Sequence, residues 1–201
     1  MGKKRHIAAF DFDGTLTTKD SLLEFLLFAK GRRATIAGIL LFLPLMVLMK
    51  LRLYDHSRCK ERLLSFFFKG MRHEDFKRLG EEFAHRYSEF MRPETNERLR
   101  KHLANGDTVY IISASIDEWV RPIGMSLGVK DVLCTRMEVD GKGLLTGRFS
   151  TPNCHGKEKV NRLLAAEPQR DGYTLHAYGD SGGDEQMFAF GDYSYNIRGK
   201  K

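Results

Sequence analysis

Short apolar runs that end in polar residues are the feature that most constrains the fold of this 201-residue chain. The run at residues 7–12 leads into Asp13, and the run at 107–113 ends in Ser113. Such runs predict short buried strands, and helical patterns lie between them. Strands that alternate with helices predict an α/β fold with a doubly wound parallel sheet. Ligands of such sheets bind beyond the carboxyl ends of the strands, so the polar residues there are candidate site residues.

The remaining elements are predicted from periodicity and turn signals. A glycine-containing turn at 140–143 predicts a hairpin between residues 137–139 and 144–149. Ser21 and Glu24 have the spacing of a capping box at a helix start. Further strands are predicted at 131–137, 174–178 and 193–197, and helices at 21–29, 74–90, 94–104, 117–127 and 157–166. Two parts result, an α/β core from residues 1–19 and 93–201 and a helical segment from residues 20–92, which we call the cap segment.

Residues 36–49 form a run of fourteen residues without a charge, with Pro44 inside it. The run is shorter than the roughly 20 apolar residues that a membrane-spanning helix needs, and Pro44 disfavours a straight span. Its apolar residues cover all sides of a helix. That pattern suits burial within a helical subdomain, and it equally suits shallow insertion into one membrane leaflet with the flanking cations near lipid phosphates.

The formal net charge of +7 is unevenly distributed. Lys3, Lys4, Arg5, Arg198, Lys200 and Lys201 supply six of these charges at the chain ends. Residues 30–72 carry ten basic side chains against two acidic ones, a net +8 that leaves the rest of the body acidic. The basic segment either meets an anionic substrate or membrane surface, or is a solvated helical face.

Composition and cysteine usage predict a globular cytoplasmic protein. Apolar residues make up 42% of the chain and charged residues 29%. Cys59, Cys134 and Cys154 form no Cys-x-x-Cys pair, so reduced thiols are expected. The first residues run into the first strand without an apolar signal-peptide core, so export is not expected. The sequence contains no glycine-rich nucleotide-binding loop, and no nucleic-acid partner is expected.

The segment Asp-Phe-Asp-Gly-Thr at residues 11–15 places two carboxylates two positions apart at the end of the first strand. Side chains at i and i+2 of a strand share a face, so Asp11 and Asp13 are expected to project together. Close carboxylates repel each other unless a cation lies between them. A divalent cation with oxygen ligands, Mg2+, would relieve that repulsion and bring in a phosphate. The alternative is a strand that ends in an acidic turn.

Three further segments contain residues that could bind the phosphate or complete the metal site. Ser113 ends the second strand, and its hydroxyl together with the amide of Ala114 could donate to phosphoryl oxygens. Lys159 lies near a predicted helix start and could bring a cation to developing negative charge. Asp180 and Asp184 lie in a glycine-rich segment after a strand and could complete a metal site.

Taken together, and in this order, the four segments closely resemble the motifs of the haloacid dehalogenase superfamily of phosphohydrolases. The resemblance extends across nearly the whole chain and implies a Rossmann-like core. The helical insert resembles the small helical (C1-type) cap of the phosphoserine phosphatase-like branch.

This resemblance implies a role for each matched residue. Asp11 would attack phosphorus to give an aspartyl-phosphate, and Asp13 would protonate the leaving oxygen and then activate water. Mg2+ would be held by Asp11, Asp180 and the backbone carbonyl of Asp13, and Asp184 would orient a bound water or a lysine. Ser113, Ala114 and Lys159 would bind the phosphoryl oxygens. The same fold without turnover, in a phosphate-sensing protein, and phosphotransfer to an acceptor other than water are the alternatives.

The leaving group is the least determined part of the expected reaction. Asp20 stands where phosphoserine phosphatases have a glutamate that receives the substrate amine, although it could instead cap the helix that begins near Ser21. Arg62 could hold a substrate carboxylate. The apolar run between basic pairs is also similar to a bacterial branch that includes a phosphatidylglycerophosphate phosphatase. The expected substrate is therefore a phosphorylated small molecule or a lipid head group, with possible peripheral contact with an anionic membrane.

Overall fold

The computed structural model describes residues 4–198, and Lys3, Lys200 and Lys201 of the terminal cations lie outside that range. Five parallel strands form the main sheet in the order β3-β2-β1-β6-β7. β1 lies at its centre, so the segment that follows β1 emerges between the ends of β2 and β6. The strands are β1 (Arg5–Phe10), β2 (Thr108–Ile116), β3 (Asp131–Thr135), β6 (Tyr173–Gly179) and β7 (Tyr193–Asn196).

Helices cover both faces of this sheet, which confirms the predicted doubly wound α/β fold. Phe10, Val109 and Ile111 point to one face, where they join a large aromatic core. Ile7 and Ile112 point to the other face, in a second cluster that includes Leu163 and Met187. The helices are α1 (Ser21–Lys50), α2 (His56–Phe68), α3 (His73–Ala84), α4 (Pro93–Ala104), α5 (Asp117–Leu127), α6 (Lys157–Ala166) and α7 (Glu185–Phe190).

Several predicted elements have different bounds in the structure. The helix predicted at 21–29 continues to Lys50, and its N-cap is Asp20. The helix predicted at 74–90 is wrong in its second half, since α3 ends at Ala84 and a short 3-10 turn, Tyr87–Glu89, follows. The phenol of Tyr87 turns inward and donates to the side chain of Asn96 at 2.7 Å. The strand predicted at 131–137 is two strands, because the chain leaves the sheet after Thr135 and begins the predicted hairpin of β4 (Met137–Val139) and β5 (Leu145–Phe149).

An aromatic cluster joins the first helices of the cap segment to the core. The ring of Phe25 in α1 stacks on Trp119 in α5 with 4.4 Å between ring centroids. Phe76 of α3 packs edge-on against Phe25. All three side chains are fully buried. The hydrophobic effect therefore holds α1 and α3 against the core helix α5.

The second half of α1 leaves this cluster. Gly31 interrupts the helix with φ 76° and ψ 163°, a conformation that favours glycine. Beyond it, Leu40 and Leu41 are each 62% exposed, and only 11% of the most apolar 18-residue window of α1 is buried. We call the exposed residues Ile36, Leu40, Leu41, Leu43, Val47, Leu48 and Leu51 the apolar face. Burial of the run at 36–49 inside a helical subdomain, one of the expected alternatives, is therefore wrong for the single chain.

A close approach of α3 to α5 generates a stability prediction. A Cβ atom on Gly80 would lie 2.1 Å from the backbone oxygen of Glu118, so Gly80→Ala forces the two helices apart. We expect a loss of about 1–3 kcal/mol in the free energy of unfolding, measured by urea titration. Gly141→Ala is the matched control, because no atom lies within 4 Å of its added Cβ. Equal stability of the two variants would contradict this packing.

Candidate active site

Asp11 lies immediately beyond β1, with its backbone N–H donating to the carbonyl oxygen of Tyr178 at 2.8 Å. Its carboxylate is buried and accepts from Lys159 Nζ at 2.6 Å and from the hydroxyl of Thr15 at 3.2 Å. Burial raises the pKa of Asp11 to about 7, although the positive charge of Lys159 opposes that rise. One carboxylate oxygen of Asp11 is thus hydrogen-bonded to the ammonium group of Lys159, at the centre of the sheet edge.

Lys159 is buried in the first turn of α6, where its ammonium group lies between two carboxylates. Nζ donates to Asp11 and also to Asp184. Burial alone would lower the pKa of Lys159, yet Asp11 and Asp184 raise it above its usual range. The lysine is therefore a fixed positive charge at the end of β1.

Asp180 and Asp184 are brought together by the turn that follows β6. The Oδ2 atom of Asp184 accepts from the backbone N–H groups of Asp180 and Ser181, each at 3.1 Å. Its other oxygen accepts from Lys159, so both oxygens of Asp184 take part in hydrogen bonds. Burial raises the pKa of Asp180, whose carboxylate forms an ion pair with Arg198, with Nε 2.7 Å from Oδ2.

These three aspartates could hold a metal ion. Carboxylate oxygens of Asp11, Asp180 and Asp184 lie within 4.8 Å of one another, and the oxygen-only set is the chemistry that Mg2+ prefers. Gly14 leaves room for the cluster, because a Cβ there would lie 2.3 Å from Asp180 Oδ2. Arg198 is largely exposed, so its guanidinium can leave Asp180 at little cost.

Asp11 and Asp13 line one cavity, as expected, but a tight turn and not a shared strand face brings them there. β1 ends at Phe10, and residues 12–16 form a tight turn. The carboxylate of Asp13 accepts from the backbone N–H of Ser21 at 2.7 Å and from the hydroxyl of Ser115. Burial raises the pKa of Asp13, which favours a protonated carboxyl group. The two acids thus face one cavity with different hydrogen-bond partners.

Ser113 and Ala114 lie at the carboxyl end of β2, beside Asp11 and Lys159 in one cavity. Ser113 is buried, and its oxygen accepts from the backbone N–H of Ser115 at 3.0 Å. Its own hydroxyl proton remains available for a ligand. The structure thus brings Ser113, Ala114, Lys159 and the aspartates to one edge of the sheet.

The two residues considered for substrate specificity have different positions. Asp20 lines the cavity, but its carboxylate accepts from the N–H of Leu23 at 3.0 Å and caps α1. The guanidinium of Arg62 lies over the ring of Tyr54, 5.6 Å from its centroid, and Arg62 is not among the cavity-lining residues. The structure therefore does not bring Arg62 to this cavity, and its carboxylate-binding role stays a prediction.

Sequence reasoning missed three cavity residues with basic side chains. His56 and Lys60 reach the cavity from α2, and His155 reaches it from the loop before α6. The cavity has a volume of about 410 Å3, and Asp11 and Lys159 are among the residues that line it. The apolar part of its wall includes Leu22, Met46, Met49 and Leu63. The basic segment at 30–72 contained the signal for Lys60, but charge alone does not reveal which of its cations turn inward.

Comparison with known proteins identifies the family. Residues 8–189 match the model of the haloacid dehalogenase-like hydrolases. Protein CicA of Caulobacter vibrioides is 34% identical over 195 residues, which cover 96% of this chain and 86% of CicA. The inhibition of morphological differentiation protein of Streptomyces azureus is 30% identical over 91% of this chain and 68% of its own length. The chain therefore belongs to the haloacid dehalogenase-like hydrolases.

Solved structures show the same fold. A protein of unknown function from Bordetella pertussis Tohama I has a TM-score of 0.76 at 22% identity, over 93% of this chain and 87% of its own. A substrate-bound phosphoserine phosphatase has a TM-score of 0.63 at 16% identity, over 96% of this chain and 85% of its own. The phosphoserine phosphatase-like arrangement of sheet and inserted helices is thus confirmed.

The buried ion pairs of Lys159 generate the second prediction. Lys159→Met leaves Asp11 and Asp184 buried without their cation, and we expect a loss of about 3–5 kcal/mol in the unfolding free energy of the metal-free protein at pH 8. The loss should be smaller at pH 5, where Asp11 takes up a proton and its unpaired charge disappears. Lys157→Met, an exposed change two residues away, is the control. Equal losses in both variants would contradict the assigned role of Lys159.

Proposed function

We propose that this protein is an Mg2+-dependent phosphomonoester hydrolase that acts through an aspartyl-phosphate on Asp11. The observation that carries the proposal is the buried Asp11 carboxylate, held between Lys159 and Thr15 at the base of a cavity that also receives Asp13. An oxygen of Asp11 attacks phosphorus while the bond from phosphorus to the leaving oxygen breaks. The raised pKa of Asp13 allows it to give a proton to that oxygen. Asp13 then takes a proton from the water that cleaves the acyl phosphate.

The neighbouring groups bind and stabilise the transferring phosphoryl group. Its oxygens would accept from the Ser113 hydroxyl, the Ala114 amide and Lys159. Asp11, Asp180 and the backbone carbonyl of Asp13 would hold Mg2+, which when bound offsets the negative charge of the phosphate. Asp184 positions Lys159 through the short hydrogen bond between them. We assign this chemistry to the core, residues 1–19 and 93–201, and the cover of the site to the cap segment, residues 20–92.

We further propose a lipid or lipid-precursor phosphate as the substrate, presented at the cytoplasmic face of a membrane. The apolar cavity wall includes Met46 and Met49, which lie on the same helix as the apolar face. Residues 25–54 contain five basic side chains and no acidic one, namely Lys30, Arg32, Arg33, Lys50 and Arg52. A second copy of the chain would bring equal positive charge to this surface, whereas an anionic bilayer complements it.

Serine phosphate is the alternative substrate, favoured by the similarity in fold to phosphoserine phosphatases. Asp20 lies at the cavity and could face an amine, although its carboxylate already caps α1. If the protein hydrolyses serine phosphate in preference to lipid phosphates, that result would support this alternative.

Phosphate release from an aryl phosphate tests the proposed reaction. With Mg2+ the wild-type protein should turn over, and Asp11→Asn should lower kcat about a thousandfold or more, because the nucleophile is lost. Asp171→Asn, an exposed acid before β6, is the control. Mg2+ should also raise the unfolding temperature of the EDTA-treated wild type more than that of Asp180→Asn. Turnover of Asp11→Asn at the wild-type rate would end the aspartyl-phosphate proposal.

Flotation with lipid vesicles tests the membrane proposal. Wild type should float with vesicles rich in phosphatidylglycerol and much less with phosphatidylcholine vesicles. The double change Leu40→Glu and Leu41→Glu should lower binding about tenfold or more, since it places carboxylates on the apolar face, while hydrolysis of a soluble aryl phosphate continues. Met125→Glu changes an exposed apolar residue on α5 and should float like wild type. Failure of wild type to float would contradict membrane contact.

A further inference from the structure

We propose that Lys60, His56 and His155 form a subsite that binds a second anionic group, carried by the leaving group of the substrate. The inference rests on the proposed phosphatase function and specifies the class of substrate. Three basic side chains enter one cavity from two parts of the fold, and none of the sequence motifs assigns them. The shared chemistry of the ligand group is a carboxylate or a phosphodiester.

Lys60 is the centre of this subsite. Its side chain projects from α2 into the cavity, and Nζ donates to the carbonyl oxygen of Ala114 at 2.7 Å. Among the described residues, that carbonyl is its only hydrogen-bond partner, and no carboxylate forms an ion pair with it. An ammonium group has three N–H donors, so two remain for a ligand. Burial lowers the pKa of Lys60, which reflects the poor solvation of its charge.

The two histidines stand at the mouth of the cavity. Their rings stack across the gap between α2 and the loop before α6, with 5.2 Å between centroids. Both side chains are exposed, and burial of part of each ring lowers the pKa of His56 and of His155. A neutral imidazole still has one N–H donor. Each ring can therefore donate a hydrogen bond to an anion that lies between the mouth and Lys60.

The position of Lys60 links this subsite to the leaving group. Ala114, whose carbonyl binds Lys60, follows Ser113 at the end of β2, where the phosphoryl group is expected. Asp13 and Asp20 line the same cavity and act electrostatically on Lys60, but neither forms an ion pair with it in the described residues. The second anionic group should thus lie on the side of α2, separated from the reacting phosphate by a short linker such as a glyceryl unit.

Three substrates with the same linker test the subsite. Glycerol 3-phosphate has an uncharged leaving group, and the leaving group of 3-phosphoglycerate carries a carboxylate. The third substrate is glycerol 3-phosphate with a phosphodiester group on its glyceryl unit. The wild type should hydrolyse at least one anionic substrate with kcat/KM about tenfold or more above glycerol 3-phosphate, since hydrogen bonds between charged groups are the strong ones. The better of the two identifies the group that the subsite takes.

Variants of Lys60 separate recognition from a structural role. Lys60→Met should abolish the preference for anionic substrates while leaving kcat/KM for glycerol 3-phosphate within about threefold, and Lys60→Arg should retain most of the preference. Lys69→Met, an exposed change at the far end of α2, should behave like wild type. Equal losses on all three substrates in Lys60→Met, or no preference in the wild type, would overturn the subsite.

Binding to the Asp11→Asn protein, measured by calorimetry with the same three compounds, gives a readout that is independent of turnover. Tighter binding of an anionic compound that Lys60→Met removes would support the subsite even if no phosphate is released. Absence of phosphate release from every substrate would then count against the phosphatase function alone. Equal binding of all three compounds would overturn the subsite alone.

Discussion

Lys159 and its two carboxylate partners are the interaction on which the rest of the site depends. Parallel strands bring Asp11 and Asp180 to the same sheet edge, and the turn after β6 adds Asp184 within 4.8 Å. Buried carboxylates this close would repel one another strongly without a cation. Lys159 supplies one positive charge from the start of α6, and Arg198 supplies another to Asp180. The remaining negative charge suits a divalent ion and is the physical basis for the magnesium proposal.

The cap segment also helps to hold Asp13 in place. The backbone N–H of Ser21, the first residue of α1, holds the carboxylate of Asp13, and Ser115 of β2 holds its other oxygen. Ser21 is fixed in turn by the indole of Trp119, which donates to its hydroxyl at 3.1 Å. The proposed acid is thus positioned by both parts of the fold. Any movement of α1 relative to the core would alter the position of Asp13.

The sequence was informative where one physical rule decided the outcome. The buried strands were predicted correctly from apolar runs. The carboxyl ends of these strands then located Asp11, Ser113 and Asp180. It was less informative where tertiary packing decides. The apolar spacing that predicted a helix through Phe90 was correct in that Tyr87 and Phe90 are buried, but they are buried by a turn.

The substrate side of the site was the hardest to predict. Lys60 and Arg62 lie two positions apart on α2 and so point in different directions, and only packing against the core determines which one enters the cavity. The apolar run at 36–49 has no polar face in its sequence, so its periodicity could not distinguish burial from exposure. In the structure, one side of this run packs on α2, where Phe42 contacts Phe66. The other side of the run is the apolar face.

The central claim is that Asp11 becomes covalently phosphorylated during turnover. The most direct test is to quench the protein in acid during hydrolysis of an aryl phosphate with Mg2+ and to locate the phosphoryl group by peptide mass spectrometry. We predict one phosphoryl group on Asp11, lost on treatment with hydroxylamine and absent from Asp11→Asn. A phosphoryl group on another residue, or rapid turnover of Asp11→Asn, would contradict it.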